Sequence, residues 1–323
     1  MISFATSGRH SVNGVRREDI AERLRKQIQS GLHLGRLTPG QRLPSTRELA
    51  AKLAVDQRRV TRAYHDLVMD GLVDLRPRSG FYVASETNGN ASHLRNVAQW
   101  AVDTLVDAWQ LGLRPADVAD YLRECFASHQ LTAACIECND DQLHGLSSEL
   151  ESDFGFATQS VPLCQTGDDE MRTRLSEADL LVTTAFHKSE VRRLACKLHK
   201  PFLAITVRPD LLQSIEAALR SEDVYFVATD PRFAAKAASM FATSESTHQV
   251  HVLIAGRDEL SAIPTGAPAY IMRRAREAIG EHPLAARVMP MRSVFARESR
   301  RAILSFIAQK TADRRTAVET ITP

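Results

Sequence analysis

Hydrophobic positions near the start of the chain recur at helical spacing. Ile20, Leu24 and Ile28 are four residues apart, which predicts a helix over residues 17–32. Two further helices are predicted by apolar positions spaced by three and four, namely Leu49, Ala50 and Leu53, then Val60, Ala63, Tyr64, Leu67 and Val68. Each predicted helix therefore has one apolar face, and we expect the three faces to share a core.

Polar residues mark where the second and third helices begin. Ser45 is followed three residues later by Glu48, which is the pattern of a capping box. Asp56 is a typical N-cap residue for the next helix, and only a short turn separates it from the helix before. The sequence therefore predicts a helix-turn-helix.

A basic hairpin follows the third helix. The apolar stretches 72–73 and 81–83 bracket residues 76–80, a turn segment with two arginines and a glycine, which predicts a two-stranded hairpin or wing. The exposed face of the third helix carries Gln57 and Thr61 together with three arginines, Arg58, Arg59 and Arg62. Such a face supplies hydrogen-bond donors for both base edges and phosphates.

Helix, turn, helix and basic wing in this order resemble the winged-helix DNA-binding domain of the GntR family of bacterial transcription regulators. The residues that carry the resemblance are Pro39, Gly40, Leu43, Pro44, Ser45, Arg47, Glu48, Leu49, Ala50, Val55, Val60, Ala63, Tyr64, Leu67, Gly71, Leu72, Ser79, Gly80 and Val83. The resemblance implies that the second helix, the start of the third helix and the wing tip contact double-stranded DNA. The residues expected there are Ser45, Thr46, Arg47, Gln57, Arg58, Arg59, Thr61, Arg62, Arg78, Ser79 and Gly80.

The chain departs from the family pattern at the start of the third helix. The family often has a Ser or Thr followed by an Arg where this sequence has Asp56 and Gln57, and the arginines are shifted to Arg58 and Arg59. A carboxylate near phosphate is repulsive, so an operator sequence known for the family should not be transferred to this protein.

The rest of the chain changes rhythm. After a predicted linker at 85–92, two amphipathic helices are predicted within 93–126, and Trp100 and Trp109 of the first are expected in a core rather than at an interface. Residues 127–310 then alternate short apolar runs, the last at 287–291, with helical patterns ending in a helix over 293–310. This alternation predicts an α/β domain with parallel sheet, and eight or so strands suit two small lobes. It resembles the two-lobed sensor domains of the periplasmic-binding-protein type.

The predicted organisation is a flexible arm at 1–15, a winged helix-turn-helix at 16–84, the linker, the connecting or dimerisation helices at 93–126, an α/β effector-binding domain at 127–310 and a polar tail at 311–323. Ligands in open α/β sheets bind beyond the carboxyl ends of the strands. The polar residues there are the candidate effector ligands: Asn139, Thr183, Thr184, His187, Arg208, Asp230, Arg232 and Arg257. Each of them has the alternative role of an ordinary turn or cap residue.

Charge is divided unevenly along the chain. Residues 9–84 hold 15 Lys and Arg against 8 Asp and Glu, whereas the remainder holds 26 against 31. A basic module joined to a mildly acidic body is typical of a DNA-binding domain with a separate sensor, because only the first must attract phosphates. The absence of a signal peptide and of a long apolar run favours the cytoplasm and no membrane contact.

The cysteines give a weak metal signal. Cys135 and Cys138 have the spacing of half a zinc site, but a second pair is missing and the run 133–138 is typical of a buried strand. We therefore interpret them as strand cysteines and expect neither a metal nor a cofactor.

Three functions remain open. The first is a regulator that binds a pseudo-palindromic operator as a homodimer and responds to a small-molecule effector, with an anion as one expected class. The second is a constitutive DNA-binding protein whose body serves for dimerisation or protein docking. The third is an enzyme with an auxiliary DNA-binding domain, which is disfavoured because no phosphate-binding, nucleophile-elbow or zinc-protease motif is present.

Overall fold

The computed structural model describes residues 20–84, 90–127, 131–165, 167–241, 248–290 and 293–321. The predicted arm at 1–15 and most of the predicted linker, 85–89, lie outside the described residues. Within the described ranges, no helix combines the length and the apolar character that crossing a membrane would need.

The first part of the structure, which we call the head, is a winged helix-turn-helix. Its elements are α1 (Ile20–His33), α2 (Thr46–Leu53), α3 (Gln57–Met69), β1 (Val73–Arg76) and β2 (Gly80–Val83). The apolar faces predicted from the sequence meet in one core, in which Leu49, Val60 and Leu67 are fully buried. The strands β1 and β2 pair antiparallel.

Two helices, α4 (Asn90–Gln110) and α5 (Pro115–Ala127), follow and form an antiparallel hairpin. The expectation that the two tryptophans of α4 lie in a core is wrong, because Trp100 and Trp109 are each 62% exposed. Ala108 is buried, but α4 otherwise shows its side chains to solvent on most sides over residues 97–110.

The first lobe is a parallel four-stranded sheet with the order β4-β3-β5-β6. Its elements are β3 (Thr132–Glu137), α6 (Asp140–Phe154), β4 (Ala157–Pro162), α7 (Asp169–Glu177), β5 (Leu180–Thr184), α8 (Lys188–Leu198) and β6 (Phe202–Ile205). Strands β3 and β5 are buried almost along their whole length, as expected for a parallel sheet covered on both faces.

The second lobe is a separate parallel sheet of three strands with the order β8-β7-β9. Its elements are α9 (Pro209–Leu219), β7 (Val224–Ala228), α10 (Arg232–Phe241), β8 (Val250–Ile254), β9 (Ala269–Ile271), α11 (Arg273–Ile279) and α12 (Pro283–Arg287). Two parallel sheets flanked by helices confirm the predicted α/β class.

One strand prediction fails in the second lobe. Residues 287–291 were expected to form a last strand, but Pro283 and the capping residue His282 start α12, which runs through Arg287. Residues 288–290 are irregular. The apolar residue Val288 is nevertheless buried, since this segment packs against the head at Gly35.

The chain crosses between the lobes twice, and the two crossing segments pair with each other. Val207 and Phe295 form an antiparallel bridge, and Ala296 N donates to Thr206 O at 2.8 Å. The buried carboxylate of Glu149 accepts hydrogen bonds from the backbone amides of Val294 and Phe295. We call residues 206–208 and 293–296 the hinge.

The last helix, α13 (Arg297–Ile321), returns to the first lobe, where Ile303 and Ile307 join its core. The helix continues beyond residue 310, where a polar tail was expected to begin. Its helical hydrogen bonds persist because Thr311 is still buried against the lobe and the residues that follow include no Gly or Pro before 323.

Candidate DNA interface and interlobe site

Two side-chain caps place the helix-turn-helix. Ser45 Oγ accepts from Glu48 N at 3.2 Å while Glu48 Oε2 accepts from Ser45 N at 2.8 Å, so the predicted capping box is confirmed. Asp56 caps α3 by accepting from Arg58 N at 2.6 Å. Ala54 closes α2 in the left-handed conformation with φ of 53°. These local bonds set the angle at which α3 leaves the turn.

A buried tyrosine anchors α3 from behind. Tyr64 Oη donates to Pro44 O at 2.9 Å, and its ring stacks on Phe81 of the wing with the centroids 4.5 Å apart. Burial raises the pKa of the Tyr64 hydroxyl, which therefore remains a donor. One side chain thus holds α3, the start of α2 and the wing in a fixed arrangement.

The predicted DNA-contacting arginines lie on the surface. Arg47, Arg58, Arg59 and Arg62 are exposed, and none of them forms an ion pair within the described part of the chain. Free guanidinium groups on a helix face can approach phosphates and base edges without first breaking a contact.

Two further polar residues are held at the end of this surface. Gln57 Nε2 donates to Thr46 Oγ1 at 3.1 Å, which ties the start of α3 to the start of α2. Thr61 Oγ1 donates back to Gln57 O at 3.0 Å. The hydroxyl of Thr61 is therefore occupied by its own helix and has only acceptor capacity left.

The wing tip is shaped by two residues with positive φ, Arg78 at 63° and Gly80 at 109°. Ser79 Oγ and Tyr82 Oη lie 2.6 Å apart, and the guanidinium of Arg76 stacks 4.1 Å above the Tyr82 ring. The turn therefore presents Arg78 and Ser79 outward, where both are exposed.

The structure adds Arg42 and Arg76 to the residues predicted for this surface. Arg42 is exposed and forms an isolated bridge to Tyr82, and its guanidinium lies 3.9 Å from the position a Cβ would take on Gly80. Sequence spacing does not place Arg42 at the wing, because it lies before α2. Arg76 could have been predicted to lie on this surface, because it is a basic residue within the predicted turn.

Between the lobes, a buried carboxylate gathers several of the predicted strand-end residues. Glu137 closes β3 and is fully buried. Its Oε1 accepts from Thr184 N at 2.8 Å, from Thr184 Oγ1 at 2.6 Å and from Thr183 Oγ1 at 3.2 Å. The two threonines thus cradle an anion as their position suggests, but the anion is a side chain of the protein.

Lys236 of α10 completes this site from the second lobe. Its Nζ lies 3.0 Å from Glu137 Oε2, donates to Gln142 Oε1 and sits 4.4 Å from the centroid of the Phe186 ring. Burial by itself raises the pKa of Glu137, but the ammonium of Lys236 and the hydrogen bonds from Thr184 outweigh it and lower the pKa. Glu137 therefore stays ionised while buried.

The sequence interpretation missed both members of this pair. Lys236 shares helical spacing with the buried residues Phe233 and Ala237, so a lysine on the apolar face of a helix was the signal. Glu137 is the one charged residue at the end of the apolar strand β3. A buried charge is costly without an opposite charge beside it. A lysine and a glutamate at apolar positions therefore indicate that each has a charged partner in the fold.

A second set of contacts joins the start of α6 to the loop after β7. The buried carboxylate of Asp141 accepts from Thr229 N at 2.8 Å and Asp230 N at 2.7 Å, and Asp230 Oδ2 accepts from Asp140 N at 2.8 Å. Arg232 pairs with both Asp140 and Asp230. We call Asp140, Asp141, Thr229, Asp230 and Arg232 the interlobe latch.

Electrostatics keep Asp230 of this latch ionised. Burial alone would raise the pKa of Asp230, but the hydrogen bonds from Arg232 and from backbone amides lower the pKa to about 2. Asn139, another predicted ligand, is fully buried and caps α6 by accepting from Gln142 N at 3.0 Å. This capping bond explains why a polar side chain is buried at position 139.

Two of the predicted effector residues lie elsewhere. Arg208 lies in the hinge, where it pairs with Asp210 and reaches Gln29 of the head at 3.3 Å. Arg257 is exposed and pairs with its neighbour Asp258 in the turn after β8. A residue that follows a strand in the sequence can lie at the edge of either sheet. Arg208 and Arg257 therefore do not contact Glu137.

Comparison with known proteins agrees with the geometry of the head. The profile described as bacterial regulatory proteins, gntR family, matches residues 16–83. The HTH-type transcriptional regulator TauR of Rhodobacter capsulatus is 46% identical over 66 residues, which are 20% of this chain and 14% of that relative. The HTH-type transcriptional regulator Rv1152 of Mycobacterium tuberculosis is 35% identical over 101 residues, covering 31% of this chain and 80% of that relative.

Among solved structures, YtrA from Sulfolobus acidocaldarius, described as a GntR-family transcription factor, is 25% identical, with 36% of this chain and 97% of that chain covered and a TM-score of 0.23. This chain matches only 14% of the length of TauR, which is a longer protein. It matches 80% of the length of the Mycobacterium regulator. A profile match over the head, a relative largely covered by this chain and an exposed arginine surface on a winged helix-turn-helix lead to one conclusion. The chain belongs to the gntR family of bacterial transcriptional regulators, and the family match lies on the head.

Proposed function

We propose that the chain acts in the bacterial cytoplasm as a homodimer on a pseudo-palindromic operator, and that a small molecule bound between the lobes modulates its affinity for DNA. The observation that carries the proposal is a division of contacts. The head packs on the second lobe, the α4–α5 hairpin packs on the first lobe, and the hinge joins the two lobes.

The contact between head and second lobe continues the core of that lobe. Leu34, just after α1, is buried among the apolar residues of α9, β7 and α10. Ala269 N donates to Leu34 O at 3.1 Å and Met289 N donates to Leu32 O at 3.1 Å. Arg36 also forms an ion pair with Glu222. Backbone bonds and a buried leucine make the head and this lobe move together.

The hairpin is attached to the other lobe. Tyr121 Oη donates to Ala308 O of α13 at 3.3 Å, and Cys125 is buried in the core of the first lobe. Helix α4 of the hairpin also contacts α3 of the head. A change of angle between the lobes would therefore shift the head relative to the hairpin.

The hairpin offers a surface for a second copy of the chain. Three exposed apolar residues of α4 lie at positions i, i+4 and i+7, which is the stripe of a helix that packs on another helix: Val102, Val106 and Trp109. The occupant we propose is the same surface of a second copy, because one recognition helix reads only a few base pairs and a two-fold dimer matches a two-fold operator.

Effector control follows from this arrangement. If the dimer is held through the hairpins on the first lobes, the angle between lobes sets the distance between the two heads. A ligand then changes operator affinity only by as much as its own affinity differs between the two lobe arrangements. The proposal assigns the lobes no catalytic role.

The dimer is tested with Val106→Asp, which places a charge in the apolar stripe. We expect sedimentation to show monomers and the operator affinity to fall by about 100-fold, because each head then binds alone. The control is Arg123→Ala, an exposed residue on α5 away from the stripe. A Val106→Asp protein that remains a dimer with unchanged operator affinity would exclude this interface.

Coupling between lobes and heads is tested without knowing the ligand. Asp141→Asn replaces one of the two acceptor oxygens that hold the loop after β7 with an NH2 donor, and we expect the operator affinity of the dimer to change by about 5-fold or more. Asp153→Asn, an exposed position on the same helix, serves as the matched control. If both variants bind the operator as the parent chain does, the lobes are a scaffold and the protein is a constitutive DNA binder.

A further inference from the structure

Three residues at the carboxyl edge of the first sheet bring together an oxygen, a sulfur and a nitrogen ligand. Glu137, Cys138 and His187 place one ligand atom each within 4.8 Å of one another. Glu137 Oε2 and His187 Nε2 lie 3.6 Å apart. Around a tetrahedral zinc ion with bonds of about 2.0–2.3 Å, neighbouring ligand atoms lie roughly 3.3–3.8 Å apart. The three side chains therefore need only small movements to share one ion.

The imidazole of His187 is oriented as a metal ligand is. Its Nδ1 lies 2.7 Å from Glu190 Oε2 and donates to it, which leaves the lone pair on Nε2. The Nε2 atom is buried and has no hydrogen-bond partner among the described residues. A carboxylate behind a histidine fixes the tautomer and raises the basicity of the coordinating nitrogen.

The positive charge now at this place is Lys236. Its Nζ lies 3.0 Å from Glu137 Oε2 and 4.0 Å from Cys138 Sγ, so it neutralises the same groups that a metal ion would. An ammonium and a divalent cation repel each other strongly in a buried site. Binding of the ion therefore requires Lys236 to leave.

We propose that Glu137, Cys138 and His187 form a binding site for a thiophilic divalent cation, Zn²⁺ in the first instance, which competes with Lys236. When the ion binds, the Cys138 thiol gives up its proton to solvent and coordinates through its sulfur. The side chain of Lys236 moves out, and the fourth position of the ion is open. The mixed carboxylate, thiolate and imidazole set is one that zinc accepts.

The site has a consequence for the lobes, and this part rests on the proposed function. Lys236 belongs to α10 of the second lobe, whereas the three ligands belong to the first. Loss of its bonds to Glu137 and Gln142 removes a tie between the lobes. Zinc is then the effector that favours the lobe arrangement in which Lys236 is released from Glu137.

The test uses the purified full chain and a chromophoric zinc chelator in competition. We expect one zinc ion per chain, and Co²⁺ in its place should give the sulfur-to-cobalt charge-transfer band that marks a cysteine ligand. Cys138→Ser and His187→Gln should each weaken zinc binding by more than about 100-fold, and Glu190→Gln by about 10-fold to 100-fold through the orientation of His187. Lys236→Met should bind zinc more tightly than the parent chain.

The matched control is Cys196→Ser, an exposed cysteine on α8, which should bind zinc as the parent chain does. A full chain that binds no zinc, or binding that survives both Cys138→Ser and His187→Gln, would overturn the site. A chain that responds to Asp141→Asn but binds no zinc loses this site and keeps the proposed function. Zinc bound at the site without a change in operator affinity keeps the site and removes its regulatory role.

Discussion

The arginine surface of the head and the contact between the lobes are built in opposite ways. Arg58 and Arg59 are exposed and form no ion pair in the described part of the chain, so the surface is ready for a polyanion. Glu137 and Lys236, by contrast, are buried and satisfy each other. A ligand between the lobes must exchange protein contacts for its own, whereas DNA needs only to displace water and counterions. The proposed effector binding between the lobes and the proposed DNA binding at the head therefore have different energetic requirements.

The largest effect should come from breaking the buried pair. Lys236→Met leaves the carboxylate of Glu137 buried without its cation, which should cost about 3–5 kcal/mol of unfolding free energy. Urea unfolding of the full chain without metal measures this loss. Lys197→Ala, an exposed lysine on α8, is the control and should stay within about 0.5 kcal/mol of the parent.

A second variant sharpens the interpretation. In Glu137→Gln with Lys236→Met, both charges are gone, and part of the lost stability should return because no buried charge remains. A double variant no more stable than Lys236→Met would show that packing of the lysine stem, rather than its charge, holds the lobes.

A smaller effect is expected at the DNA surface. Arg58→Ala or Arg59→Ala should cost about 1–3 kcal/mol in binding to a specific operator if the residue reads a base. An equal loss on random DNA would indicate a phosphate contact instead. Arg300→Ala on α13, also exposed, should leave operator affinity unchanged. Fluorescence anisotropy at several salt concentrations separates the two kinds of contact, since phosphate contacts set the salt slope.

The smallest effect concerns pH and the interlobe latch. The pKa of Asp230 is about 2 in the folded chain against an ordinary value of 3.8. Because the folded pKa is lowered, its carboxylate stabilises the folded state above pH of about 4, and that contribution is lost as the pH falls toward 2. Its size is about 1 kcal/mol, since Arg232 is 53% exposed and solvent screens the pair.

Asp230→Asn should therefore flatten the loss of stability between neutral and acid pH without changing the unfolding of the head. Thermal unfolding at stepwise lower pH measures this change. If the variant loses stability with acid as steeply as the parent chain, another carboxylate dominates the acid response and the latch is not its origin.

Local patterns predicted the head well because its decisive contacts span only a few residues. The bonds of Ser45 to Glu48 and of Asp56 to Arg58 join residues two or three positions apart, so the sequence states them directly. The period of apolar residues likewise identified the faces that bury Leu49, Val60 and Leu67. The same reasoning found the parallel α/β class from its alternating elements.

Local patterns could not predict which polar residues meet between the lobes. Lys236 lies 99 positions from Glu137, and the latch joins Asp141 to Asp230 across 89 positions. The residues that follow strands include Thr183, Thr184 and His187, which do lie at the edge of one sheet. The same criterion also selected Arg208 and Arg257, which form ion pairs with Asp210 and Asp258 instead. Trp100 and Trp109 are a second example. Their apolar side chains suggested a core, but the sequence does not reveal whether an apolar helix face is covered by this chain or by another molecule.

The sequence by itself thus determined the helix-turn-helix, its caps, its cationic face and the α/β class, because short-range hydrogen bonds and periodicity are written in neighbouring residues. Only the tertiary structure decided that the head sits on one lobe and the hairpin on the other, and that a glutamate, a cysteine and a histidine converge beside a lysine. Those placements depend on how two sheets and a hinge pack in three dimensions, which is a property of contacts between distant residues.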